Sequence, residues 1–131
     1  FVIATERAEF GFPEVTLGVP TIVGSMRLPG RIGWSNAMEL LLTGERFDAR
    51  RAADMGLVWK VVENDGLMDA ALELAARLVR AAPLAQRATK EMAARGARLP
   101  WEDAIRLGES MRRVVGSTAD ASEGMRAARE R

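Results

Sequence analysis

A chain of 131 residues, 48% hydrophobic and 28% charged, holds one domain or part of one and can bury a core, which excludes a disordered or membrane-spanning class. With no Cys, His or Tyr, the chain contains no disulfide framework, thiolate nucleophile, Ser-His-Asp triad or Cys/His metal site, so side-chain proton transfer falls to Asp, Glu, Lys60 or Lys90. Nineteen basic against eighteen acidic residues give a net charge of +1, and the interleaved signs, as where Asp48 and Asp54 answer Arg50 and Arg51, mark solvated helix faces and no nucleic-acid partner.

The apolar, β-branched run at residues 1–5 and a second short one at 8–12 predict two short strands. Pro13 suits a first helical position, with Glu14 in the opening turn and Gly18 closing a single turn. From Gly18 to Gly33 the residues Pro20, Gly24, Pro29 and Gly30 predict a loop with short helical pieces. Ala37, Met38, Leu41 and Leu42 then recur at helical spacing, and Gly44 stops that helix. Asp48 is the expected cap of the next helix, which ends at a Gly56-Leu57 Schellman close, and residues 57–62 read as a strand. Leu67, Ala71, Leu74 and Leu78 predict an amphipathic helix ending near Pro83. Further helices are expected from about Leu84 to Ala94, beyond Pro100, and from Ser122 onward. The composition turns wholly helical near Asp65, giving a mixed α/β part over residues 1–64 and a helical part over 65–131.

Glu14 lies in the largely apolar run from Phe10 to Gly18, where folding is expected to leave its carboxylate poorly solvated, the setting that suits a carboxyl to proton transfer near neutral pH. The alternative is that an acidic residue after proline merely complements the helix dipole. The glycines around Pro20 match neither a dinucleotide fingerprint nor a phosphate loop. Arg27 and Arg31, four apart, form either an anion-binding pair or solvated surface charge. Trp59 and Trp101 read as core anchors, and Met38, Met55, Met92 and Met111 as packing fillers. The C-terminal helices are rich in alanine and bury modest area alone, which favours packing against another subunit.

In order, Phe10-Gly11-Phe12-Pro13-Glu14, Leu17-Gly18, Arg27-Leu28-Pro29, Glu39-Leu40-Leu41-Leu42-Thr43-Gly44, Ala49 with Ala52, and Gly56-Leu57-Val58 resemble the C-terminal half of the crotonase superfamily, the enoyl-CoA hydratase/isomerase family. The likeness continues through Val61-Val62, Pro83-Leu84-Ala85 with Lys90, and Glu123-Gly124-Met125. It implies an α/β fold, the end of a spiral of ββα units followed by a helical trimerisation region. It also implies an acyl-CoA thioester substrate whose enolate is stabilised by two fixed backbone N–H donors in a dry site.

On this resemblance Glu14 is similar to the glutamate that exchanges a proton with the α-carbon. The hydratases' other catalytic glutamate and both oxyanion donors belong to the half preceding Phe1, so the chain is expected to start mid-protein and to be inert alone. The family's Pro-Gly-x-Gly-Gly loop corresponds to Pro20-Thr21-Ile22-Val23-Gly24, one residue shorter before Pro20. Thr21 falls where the family has a glycine whose N–H lies near the reacting water, and is the implied substrate contact. Arg131 resembles the basic residue that approaches the CoA phosphate from a neighbouring subunit, although the ending Ala127-Ala128-Arg129-Glu130-Arg131 lacks the family's aromatic.

The expected function is that of an enoyl-CoA hydratase, with an isomerase or other acyl-CoA lyase of the same superfamily, or a non-catalytic CoA-binding or oligomerisation module, as alternatives. No metal or redox cofactor is expected, CoA being part of the substrate. The expected partners are the acyl-CoA and further copies of the chain, as a homotrimer or dimer of trimers, with no membrane partner. A cytoplasmic location is the default for a cysteine-free chain whose first residues are too short for a secretory core.

Overall fold

In the computed structural model, which describes residues 1–130, the chain opens with two short strands, β1 (Ile3–Thr5) and β2 (Glu9–Phe10). Strand β1 pairs in parallel with β4 (Lys60–Val62), Ala4 lying opposite Val61. The Trp59 N–H to Val2 and the Glu6 N–H to Val62 extend that ladder at 2.8 and 3.0 Å. Strand β2 pairs antiparallel with β3 (Phe47–Asp48), and the Phe10 and Phe47 rings stack with centroids 5.7 Å apart. The two opening strands thus pair with partners about forty to sixty residues away, and the segment between them is tied down at both ends.

That segment is helical. A 3-10 turn at Pro13–Leu17 is followed by α1 (Ile22–Arg27), α2 (Pro29–Ile32) and α3 (Trp34–Thr43), and after β3 comes α4 (Ala49–Asp54). In α3 the buried stripe is Ala37, Leu40 and Leu41, whereas Leu42, expected on that stripe, faces outward. At 100° per residue Leu42 falls off the i, i+3, i+4 face that Leu40 completes. Gly44 ends α3 in the left-handed conformation, φ 68°, with its N–H returned to the Leu40 carbonyl at 3.2 Å. Asp48 caps α4 by accepting from the Arg51 N–H at 2.7 Å. The helix closes as a Schellman motif, Gly56 N–H to Ala53 and Leu57 N–H to Ala52, both at 2.9 Å, with Leu57 packed on the core. The strand after it is shorter than expected, beginning at Lys60.

The core of this part gathers Ala4, Leu28, Ile32, Ala37, Leu40, Leu41, Phe47, Ala49, Ala52, Met55 and Val58, with Phe10, Phe12 and Met38 packed against it. Trp59 is not in it. It is 45% exposed and meets Phe1 edge-on, while its neighbour Val58, in the segment leading into β4, is the one buried in the core.

The chain divides into two units, Phe1–Glu73 and a second that begins at Leu74. This division falls within α5 (Leu67–Val79), a little beyond the change of composition near Asp65, because the helix starts in the first unit. The second unit contains α6 (Pro83–Gly96), α7 (Trp101–Gly116) and α8 (Ala119–Arg129). Helix α6 runs through Gly96 rather than ending before it, and α8 begins earlier than expected, capped by the Thr118 hydroxyl accepting from Ala121 N–H. Helices α6 and α7 cross at Gly108, where a Cβ would stand 2.8 Å from Met92 Cε. Trp101, expected in the core, is 78% exposed: it is the first residue of α7, beyond the crossing. Among the described residues no helix is long and apolar enough to cross a membrane.

Candidate active site

The candidate site is built on the 3-10 turn and the segment that follows it. Pro13 occupies the first position of the turn, where its fixed φ is preorganised and its missing N–H costs nothing. The Thr16 hydroxyl donates back to the Pro13 carbonyl at 2.7 Å. Gly18 then adopts φ 76°, which a residue with a side chain rarely reaches, and its N–H returns to the Val15 carbonyl. The Val19 N–H reaches the Glu14 carbonyl at 3.1 Å, so the chain folds back over the turn it has just made.

That reversal brings the two predicted site residues together. The Thr21 hydroxyl donates to Glu14 Oε2 at 2.9 Å. Thr21 is buried, with 8% of its surface exposed, while Glu14 is half-buried rather than enclosed. Among the described residues no cation pairs with the Glu14 carboxylate, and its second oxygen has no protein hydrogen bond. The seat beneath Thr21 is tight: its carbonyl accepts from Ser25 N–H at 3.2 Å and from the Ser25 hydroxyl. Gly24 lies below, where a Cβ would stand 2.6 Å from Thr21 Cγ2, 3.0 Å from Leu41 Cδ2 and 3.3 Å from Phe12 Cδ1. Only glycine lets α1 approach α3 and the 3-10 turn this closely.

Glu14 and Thr21 open into a cavity of about 450 Å³ walled by Phe12, Pro20, Val23 and Leu28, with Arg27 at its side. One half-buried carboxylate among apolar walls, with one oxygen held and one uncommitted, is suited to moving a proton to or from a carbon acid placed against it. Of Arg27 and Arg31, Arg27 alone lines this cavity. They sit on successive short helices broken at Leu28, and Arg31 instead donates to the Leu57 carbonyl at 3.4 Å. Arg131 lies outside the described residues.

Sequence reasoning missed Ser25 and Gly24 as supports of the site. The signal was present, a threonine and a serine four apart with a glycine between them, but it points to a site only once the turn has delivered Thr21 to Glu14.

The chain matches the sequence model of the family described as Enoyl-CoA hydratase/isomerase over residues 1–131. It is 38% identical, over 98% of its own length and 51% of the relative's, to the (E)-benzylidenesuccinyl-CoA hydratase of Thauera aromatica. With the carnitinyl-CoA dehydratase of Citrobacter koseri it shares 41% identity over 81% of this chain and 41% of that protein. The crystal structure of enoyl-CoA hydratase from Bacillus anthracis superposes with a TM-score of 0.92 at 34% identity, covering 98% of this chain and 50% of that one. The chain thus spans about half the length of the curated relatives it matches.

Proposed function

From the premise that the chain belongs to the enoyl-CoA hydratase/isomerase family, we propose that it forms the C-terminal half of an enoyl-CoA hydratase in which Glu14 is the general acid/base at the substrate α-carbon. The observation that carries this reading is the Glu14 carboxylate itself, half-buried among apolar walls with one oxygen uncommitted among the described residues. Both curated relatives cited above are named for adding or removing water at a CoA thioester, which supports hydration over other chemistries of the family.

In hydration, the oxygen of water bonds to C3 of the 2-enoyl-CoA while Glu14, in its acid form, delivers a proton to C2. In the reverse direction its carboxylate takes that proton back. The oxyanion donors and the second catalytic carboxylate, which accepts the proton released by water, come from the half of the fold that this chain does not span. The chain alone is therefore expected to be inactive. On this reading Thr21 serves as a substrate contact near the reacting water, and Arg131, outside the described residues, has the role of the family's basic residue toward CoA phosphate. A trimer or dimer of trimers, packed through the helical second unit, is the proposed assembly, and the cytoplasm the proposed location. CoA enters as part of the substrate, with no metal or redox cofactor required.

In the full-length protein, Glu14→Gln should lower turnover of a 2-enoyl-CoA by at least about 10²-fold, the range of general acid–base catalysis. Near-normal turnover would remove Glu14 from the mechanism. A second reading is an isomerase or other acyl-CoA lyase of the same superfamily, since fold does not fix the chemistry. Product analysis after incubation with a 3-enoyl-CoA separates the two, double-bond migration without water uptake favouring isomerase.

A further inference from the structure

We propose that Thr21 is a positioning residue for Glu14, its hydroxyl holding one carboxylate oxygen so that the other is presented to the substrate. This rests on Glu14 being the general acid/base, and adds to that reading the device that aims it.

The geometry is unusual for a threonine at this place in a helix. Thr21 occupies the N-cap position of α1, with φ −76° and ψ 98°, where a threonine side chain ordinarily accepts from a free backbone N–H of the first turn. It makes no such bond. Its hydroxyl turns instead to Glu14, seven residues earlier, and donates to Oε2 at 2.9 Å. A hydroxyl has one proton to donate, so this donor is committed to the carboxylate.

Thr21 cannot easily turn away. Its χ1 is restricted by β-branching, its methyl group lies over Gly24 with no room for a further carbon, and its carbonyl is tied to Ser25. Thr21 is the one polar residue in the buried set among the described residues. The terminal torsion of a glutamate is broad and roughly two-fold, so an unbonded carboxylate samples many orientations. A fixed donor on one oxygen narrows that range, and a narrowed range raises the fraction of encounters in which the proton is aligned with the α-carbon.

The test uses the full-length protein and five variants, Thr21→Val, Thr21→Ala, Thr21→Ser, Glu14→Gln and the double variant Glu14→Gln/Thr21→Val, with kcat and KM measured separately for a 2-enoyl-CoA. Thr21→Val keeps the shape and removes the hydroxyl, and Thr21→Ala does so without adding bulk should the valine disturb folding. Both should lower kcat about tenfold or more, as for loss of a hydrogen bond to a charged group, with KM changed by less than about twofold. Thr21→Ser should restore kcat to within about threefold of wild type although it lacks the methyl. In a Glu14→Gln background, Thr21→Val should cause no further loss, because the group it aims is gone.

Wild-type kcat in both hydroxyl-free variants overturns the proposal, as does an equal loss in Thr21→Ser, which would mean packing. A further loss in the double variant overturns it too. Failure of the underlying reading looks different: Glu14→Gln itself would then retain near-normal turnover.

Discussion

The two units of this chain solve the problem of apolar surface in different ways. In the first, Phe1–Glu73, strands and short helices close over a continuous core from Ala4 to Val58, and that core reaches up to Gly24 and Leu41, directly beneath Thr21. In the second, α6 and α8 bury no residue and α7 buries only Gly108, leaving Trp101 and Val114 at 78% and 66% exposure. The packed core therefore lies beneath the place where the carboxylate is held. The second unit's helices are individually well formed, carrying spaced ion pairs such as Glu91–Arg95, Glu102–Arg106 and Glu123–Arg126, yet apolar side chains on them stand exposed.

Substitutions sharpen the contrast. Leu41→Ala, in the core of the first unit, should destabilise the protein by about 2–5 kcal/mol in denaturant titration, a larger effect than any truncation of an exposed residue on α7. Gly44→Ala comes next. It forces a side chain into the left-handed region at φ 68° and against Thr16 Cγ2 at 2.7 Å, at a cost of about 1–3 kcal/mol. The same change in the second unit should behave otherwise: Gly108→Ala meets only the flexible end of Met92, and the gain in helix propensity offsets the displacement, leaving stability within about 1 kcal/mol of wild type. Equal losses at Gly44 and Gly108 would break the comparison.

The smallest effect is electrostatic. Arg112 donates through Nη2 and Nε to Glu109 Oε2 at 2.8 and 3.1 Å, and this bonding holds the Glu109 carboxyl below the ordinary glutamate range. A carboxyl lowered in the folded state stabilises it above the unfolded value, and the contribution is lost as pH falls through the folded one. Glu109→Gln should thus remove a slight acid-side decline in α7 helicity, followed by circular dichroism below the ordinary glutamate range. Because both side chains are solvent-exposed, the change should be smaller than that of either glycine substitution.

Much of this architecture is legible from local chemistry. Pro13, Gly18, Gly44, Asp48 and Gly56 each announce a start, a stop or a cap that depends on its own φ or donor geometry, and each element boundary they mark is where the structure has it. What local chemistry does not carry is partnership across distance. The exchange of Leu42 for Leu40 on the buried stripe of α3, and the exposure of Trp59 and Trp101, depend on which neighbours arrive from elsewhere in the chain. The site divides the same way. Glu14 stands out as a carboxylate in an apolar run, and Thr21 through its place in a family loop, but the bond between them exists only because Gly18 turns the chain back and Gly24 leaves room for the threonine methyl.

The role proposed for Glu14 is to move the proton at the α-carbon of an acyl-CoA. The most direct test is the rate at which the α-protons of a saturated acyl-CoA, which can enolise but neither hydrate nor isomerise, exchange with D2O on the full-length protein, followed by mass spectrometry. Wild type should catalyse the exchange, and Glu14→Gln should slow it by at least about 10²-fold while leaving the thermal unfolding midpoint unchanged. Exchange at the wild-type rate in a folded Glu14→Gln variant would take Glu14 out of the reaction.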